Sequence, residues 1–204
     1  MRPKIKICGI KNIESALAVK DAGADFIGFN FYKPSKRYVA PVLAETISQS
    51  LPEDIVKVGL FVDADRSYVV EVLQKVSLDI LQFHGAESES FCQQFGLPYW
   101  KAITVIDEKS VQQAEKNYPS AQALLLDTPT DLHGGSGKSF DWQLIPNDIK
   151  KPLVLAGGLN SQNIGAAIAA VRPYAVDVCS GVETKLGEKD ISAIREFCHA
   201  CSGN

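Results

Sequence analysis

Short runs rich in β-branched residues alternate with longer stretches of helical period along the whole chain, and the alternation repeats eight times. The first run is Ile5-Lys6-Ile7-Cys8, and those at 25–30, 56–62 and 78–83 follow. Runs at 99–105, 123–127, 152–156 and 175–179 complete the series. Between them, apolar residues recur at helical spacing, as in Val69, Val72, Leu73 and Val76, or Ile164, Ala167, Ile168 and Val171. Val111, Ala114 and Tyr118 carry a thinner stripe, as do Ile191, Ile194 and Cys198. Asn12 stands just before Ile13, and Asn160 or Ser161 is placed to cap the helix through Ile168. Alternation of this kind implies parallel βαβ units and an α/β fold. Eight units within 204 residues average about 25 residues each, near the lower end for a closed (β/α)8 barrel, the TIM barrel. An open, doubly wound sheet is the rival arrangement. The sixth unit breaks the pattern, because little helical signal follows Asp127 and a Gly-rich loop, 128–139, leads into Phe140-Asp141-Trp142.

No linker or low-complexity tract interrupts the series, so residues 1–204 read as a single barrel domain. A net charge of -3, with Lys and Arg never clustered beyond a pair, gives no footprint for nucleic acid or an anionic membrane surface. No apolar run is long enough to span a bilayer. The opening Met1-Arg2-Pro3-Lys4-Ile5 enters a strand at once and has no secretory h-region. Five cysteines, an odd number without regular spacing, fit a reduced cytoplasmic protein rather than a disulfide framework. Cys198 and Cys201 form a C-x-x-C with no second pair to complete a zinc site.

In a barrel of this kind the chemistry sits at the C-terminal ends of the strands and in the loops that follow. The candidates there are Cys8, Asn30, Asp63, His84, Asp127, Gly157-Gly158 and Cys179-Ser180-Gly181. Cys8 is either a space-filling thiol or a base. Strand period puts Lys6 on its face, where a cation pointing inward would favour the thiolate and a solvated one would not. An ordinary thiol is only about 3% ionised at pH 7, a handicap of roughly 2 kcal/mol. Asp127 closes Leu124-Leu125-Leu126-Asp127, a setting that desolvates a carboxyl and disposes it to hold a proton; a turn-capping role is the plain alternative.

Gly134-Gly135-Ser136-Gly137-Lys138-Ser139 hints at a nucleotide P-loop, but Leu132 occupies the position where the first glycine is required. What remains is a loop with exposed N–H groups and one cation, suited to an anion or to an ordinary surface. Gly158 and Ser180-Gly181 follow the seventh and eighth runs, where many such barrels hold a phosphate. Arg37, in the loop after the second run, offers a fork-shaped cation for a carboxylate or phosphate. His84 reads as a hydrogen-bonded structural residue.

The motifs Lys6-Ile7-Cys8-Gly9-Ile10, Gly28-Phe29-Asn30-Phe31-Tyr32 and Ser35-Lys36-Arg37-Tyr38-Val39 occur in that order. Val58-Gly59-Leu60-Phe61-Val62, Leu81-Gln82-Phe83-His84-Gly85, the 134–142 segment, Leu155-Ala156-Gly157-Gly158-Leu159 and Val176-Asp177-Val178-Cys179-Ser180-Gly181-Val182-Glu183 follow. Together they make the chain resemble the phosphoribosylanthranilate isomerase family of tryptophan biosynthesis, nearly end to end. The resemblance implies an Amadori rearrangement with Cys8 as general base and Asp127 as general acid, and with neither cofactor nor metal. It implies that Arg37 holds the anthranilate carboxylate, while Gly158, Ser180 and Gly181, helped by Gly135 and Gly137, hold the phosphate. A small phosphorylated molecule is the implied partner, and the chain is expected as a monomer or homodimer. It leaves His84, Asp177 and Glu183 without a role. One departure is visible: Cys179 stands where the family usually carries serine. Another phosphosugar aldose–ketose isomerase and a non-catalytic phospholigand-binding barrel are the competing readings.

Overall fold

The computed structural model describes residues 2–129 and 139–203. Eight parallel strands close into a barrel in sequence order. They are β1 (Lys4–Cys8), β2 (Phe26–Asn30), β3 (Val56–Phe61), β4 (Ile80–Phe83), β5 (Tyr99–Thr104), β6 (Ala123–Asp127), β7 (Leu153–Leu155) and β8 (Ala175–Val178). The seam is a β1–β8 ladder that pairs Lys4 with Ala175, Ile5 with Val176, Lys6 with Asp177 and Ile7 with Val178. This closure excludes the open doubly wound sheet. Helices α1 (Ile13–Asp21), α2 (Pro41–Gln49), α3 (Arg66–Lys75), α4 (Glu89–Cys92), α5 (Glu108–Asn117), α6 (Ile164–Val171) and α7 (Ile191–Ser202) lie between and after the strands. Among the described residues, no α-helix lies between β6 and β7, and a 3-10 turn stands there at Trp142–Leu144.

Strand period two sorts each strand into an outer and an inner set. Outward residues such as Ile5, Ile7, Leu124, Leu126, Val176 and Val178 join the large core beneath the helices. Phe26, Val58, Ile80, Trp100, Leu125 and Val154 belong to a separate cluster that fills the barrel interior. Trp100 has no exposed surface and meets Phe26 edge-on at 5.0 Å between ring centroids. Burying a side chain of this size contributes on the order of 3 kcal/mol.

The inner set changes character along the strands. Phe26 gives way to Gly28 and Asn30, Ile80 to Gln82 and His84, Leu125 to Asp127, and Ala175 to Asp177 and Cys179. The N-terminal end of the barrel is therefore an apolar plug, and the C-terminal end is a polar mouth.

Several boundaries differ from the sequence expectation. Strand β7 starts after Pro152, which has no N–H for the ladder. Helix α3 stops at Lys75, and Val76 is already extended. Helix α6 starts later than either expected cap: Asn163 is its N-cap, with no side-chain capping bond. Asn160 instead accepts from the N–H groups of Gln162 and Asn163, closing the turn before the helix. Asn12 does cap α1, accepting from the Ser15 N–H at 2.8 Å. A small antiparallel pair, β9 (Glu183–Lys185) and β10 (Glu188–Lys189), follows β8. Among the described residues, no helix is long and apolar enough to cross a membrane.

Candidate active site

The polar mouth opens into a cavity of about 1210 Å³ whose walls include Cys8, Arg37, Asp127, Gly158 and Ser180. Every described residue singled out as catalytic or ligand-binding lines it, except Gly181. That glycine sits behind the wall, where a Cβ would collide with the carbonyl oxygen of Leu159. The loops after β7 and β8 can pack this closely only because Gly181 has no side chain. Gly135 and Gly137 lie outside the described residues, as do Lys138 and the rest of the 130–138 segment.

Cys8 ends β1 on the inner face and is almost fully buried. Its thiol lies well below its usual range: a hydrogen bond with Cys179 lowers it, burial opposes, and the Lys6 ammonium lowers it further. The Cys179 thiol is pushed well above the ordinary range by that same bond and by burial. Its Sγ lies 3.4 Å from the Cys8 carbonyl oxygen and 3.8 Å from Glu183 Oε1, both acceptors for a retained S–H. Lys6 points inward, so its position relative to the barrel, open in the sequence, is decided. It has no exposed surface, and its Nζ donates to Asp177 Oδ1 at 2.9 Å.

Asp127 ends β6 across the mouth. Its Oδ1 accepts from the Thr128 N–H at 2.8 Å, so the turn-capping contact is present. Its Oδ2 lies 3.2 Å from His84 Nε2. Gln82 Nε2 approaches His84 Nδ1 at 3.0 Å. With the Gln82 amide donating, the imidazole carries its proton on Nε2 and directs it at Asp127. The structural reading of His84 therefore holds, and the residue it positions is the proposed acid.

Arg37 is buried, with 8% of its surface exposed. Its Nε and Nη2 donate to Glu183 Oε1 and Oε2 at 2.8 and 2.9 Å. Lys189 Nζ reaches the same carboxylate at 2.9 Å. Burial works against the Glu183 charge, yet Arg37 and Lys189 hold its carboxyl down at about 2. This clamp fixes the guanidinium plane and leaves Nη1 without a partner among the described residues.

Two strand-end candidates do other work. Asn30 organises the loop after β2, accepting from Tyr32 N–H and donating to Ser35 Oγ. Asp63 is absent from the cavity wall and accepts from the Ala86 N–H, tying the loop after β3 to that after β4. Sequence reasoning left Asp177 and Glu183 unassigned and did not see Gln82 behind His84. The signal for Asp177 was present: a carboxylate on the inner parity of an otherwise apolar strand.

The family model for N-(5'-phosphoribosyl)anthranilate isomerase matches residues 5–200. The isomerase of that name from Hahella chejuensis is 52% identical over 197 residues, covering 96% of this chain and 92% of its own length. Among solved structures, the phosphoribosyl anthranilate isomerase from Thermotoga maritima superposes with a TM-score of 0.92 at 41% identity, covering 99% of this chain and 100% of that one. A second solved structure, of phosphoribosyl anthranilate isomerase in complex with reduced 1-(o-carboxyphenylamino)-1-deoxyribulose 5-phosphate, superposes with a TM-score of 0.85 at 37% identity, covering 99% of this chain and 100% of that chain. Likeness of this extent in both sequence and fold means that the chain belongs to the N-(5'-phosphoribosyl)anthranilate isomerase family.

Proposed function

We propose that this chain isomerises N-(5-phosphoribosyl)anthranilate to the 1-deoxyribulose 5-phosphate by an Amadori rearrangement, as a cytoplasmic enzyme of tryptophan biosynthesis. The observation that carries the reading is the placement, on the walls of one cavity, of the Cys8 thiol and of the Asp127 carboxyl, the latter 3.2 Å from His84 Nε2. Asp127 donates its proton to the furanose ring oxygen, and the C1–O bond breaks as the anilino nitrogen forms an iminium. Cys8 then removes the proton from C2, and the electron pair neutralises the iminium to give an enolamine. Protonation at C1 and loss of the O2 proton give the ketone. The net change is an isomerisation, and both groups act as proton carriers of the kind general acid–base catalysis requires.

Arg37 holds the anthranilate carboxylate with the guanidinium edge that Glu183 leaves open, and a charge-assisted pair there orients the aromatic end. Gly158 and Ser180 hold the phosphate on backbone N–H groups, and Gly181 lets the loops after β7 and β8 pack closely enough to present them. Cys179 leaves those donors intact, because the loop binds through its backbone. The chain works as a monomer or homodimer on this small phosphorylated substrate.

The test is turnover of freshly made phosphoribosylanthranilate, followed by its anthranilate fluorescence, beside an imidazole-carboxamide ribotide under the same conditions. Activity on the anthranilate compound alone supports the assignment. Activity on the ribotide alone would transfer the chain to another phosphosugar isomerisation, and tight binding without turnover of either would make it a binding barrel.

A further inference from the structure

The acid–base pair leaves unused a buried cluster beside Cys8. Lys6 stands two residues before Cys8 on the same inward face of β1, and its register partner across the barrel seam is Asp177. The ammonium and the Asp177 carboxylate meet at 2.9 Å. Gly28 on β2 clears the space on the other side: a Cβ there would lie 3.0 Å from Cys8 Sγ and 3.0 Å from Lys6 Nζ. Sulfur and ammonium thus share the niche left by a missing side chain. Asp177 is 8% exposed and reaches the cavity wall. One fixed cation is flanked by two acids.

A desolvated site tolerates balanced charge far better than a net excess. Lys6 can balance one anion. If Asp177 carries the negative charge, a thiolate at Cys8 is a second anion competing for the same ammonium. If Asp177 is protonated, the thiolate is the partner of Lys6. We propose that Lys6 and Asp177 are positioning residues for the reaction, holding one proton between Asp177 and Cys8 so that the sulfur ionises as Asp177 takes up that proton.

Arg37, from the loop after β2, and Lys189 on β10 also face Cys8; Glu183, at 2.8 to 2.9 Å from both, balances one of their two charges and holds the remaining one in that clamp, whereas the Lys6 ammonium shares the niche of the sulfur itself. Cys179, which follows β8, retains its proton, and Asp127 on β6, whenever it is ionised, disfavours a carboxylate at Asp177. The electrostatics run in the direction the geometry requires: burial pushes the Asp177 carboxyl up to about 7 despite the opposing Lys6 charge.

The inference deepens the reading of Cys8 as the base and rests on it. It is tested on the sulfur itself, in a Cys179→Ser enzyme, by the pH dependence of Cys8 alkylation with iodoacetamide, located by mass spectrometry. Asp177→Asn keeps a neutral group beside Lys6, as the protonated carboxyl does, so the Cys8 titration is expected to stay in place. Lys6→Gln removes the partner of the thiolate and is expected to move the titration up by about 1 to 3 pH units, the size one neighbouring charge supplies. A midpoint that Asp177→Asn lowers by a unit or more would make Asp177 the anion and overturn the proposal, as would a midpoint that Lys6→Gln leaves in place, the result a purely structural role predicts.

Infrared spectra of the Cys179→Ser enzyme before and after Cys8 alkylation give a second readout should Asp177→Asn not fold. Alkylation removes the thiolate, so Asp177 is expected to ionise against Lys6 and its protonated-carboxyl band to disappear; an unchanged band overturns the proposal. Because both readouts report protonation rather than turnover, they separate the two claims. A shifted titration in an enzyme still active as Cys8→Ser would refute the base while keeping the cluster.

Discussion

Arg37 is held along one edge by Glu183 and open along the other, and this asymmetry defines what it can do. A loop arginine normally samples many rotamers, and ordering it to meet a ligand costs free energy. Here Glu183, held in turn by Lys189, fixes the guanidinium plane. Arg37→Ala is therefore expected to raise KM by about 10- to 100-fold, as loss of a charge-assisted contact does, while kcat changes little. Steady-state kinetics and affinity for the reduced product analogue check this; unchanged affinity would remove Arg37 from the site. At this scale the sequence was partly legible. Cys8 and Asp127 announce themselves by ending strands on the inner parity. The partner of Arg37 lies 146 residues away, and no local pattern links the two. Lys6 could be read as solvated or inward until the β1–β8 register placed Asp177 beside it.

Elements were legible wherever period and capping agreed. All eight barrel strands stand where β-branched runs predict them, and Asn12 caps α1 as a side-chain acceptor. Asn12→Ala is expected to lower unfolding free energy by about 1 kcal/mol with kcat unchanged, since Asn12 is absent from the cavity wall. Urea denaturation beside turnover checks it; a loss of kcat without a loss of stability would give the cap a functional role. The boundaries that failed did so for local reasons. Asn160 spends its side-chain oxygen on the turn before α6, so the helix begins without a side-chain cap. Strands β9 and β10 span only Glu183–Lys185 and Glu188–Lys189 and bear no apolar alternation, so periodicity cannot reveal them.

For the whole molecule, closure of β8 onto β1 is the decisive event. It sets Lys6 against Asp177 and Cys179 against Cys8, contacts that join the two ends of the chain. An open sheet from the same strands would leave Lys6 buried without its carboxylate, a costly state for a cation. The fold and the site are in this sense one structure: the apolar inner residues plug the N-terminal end, and the polar ones can gather only at the other. Cys8 and Asp127 reach that mouth from the first and sixth strands, so only the complete barrel brings them to one cavity. The most direct test is the fluorescence assay on freshly made phosphoribosylanthranilate with wild type, Cys8→Ser and Asp127→Asn, read together with their affinities for the reduced product analogue. Each variant is predicted to lose on the order of 100-fold or more in kcat with affinity retained. Turnover near the wild-type rate in Cys8→Ser would contradict the account and take the base away from this sulfur.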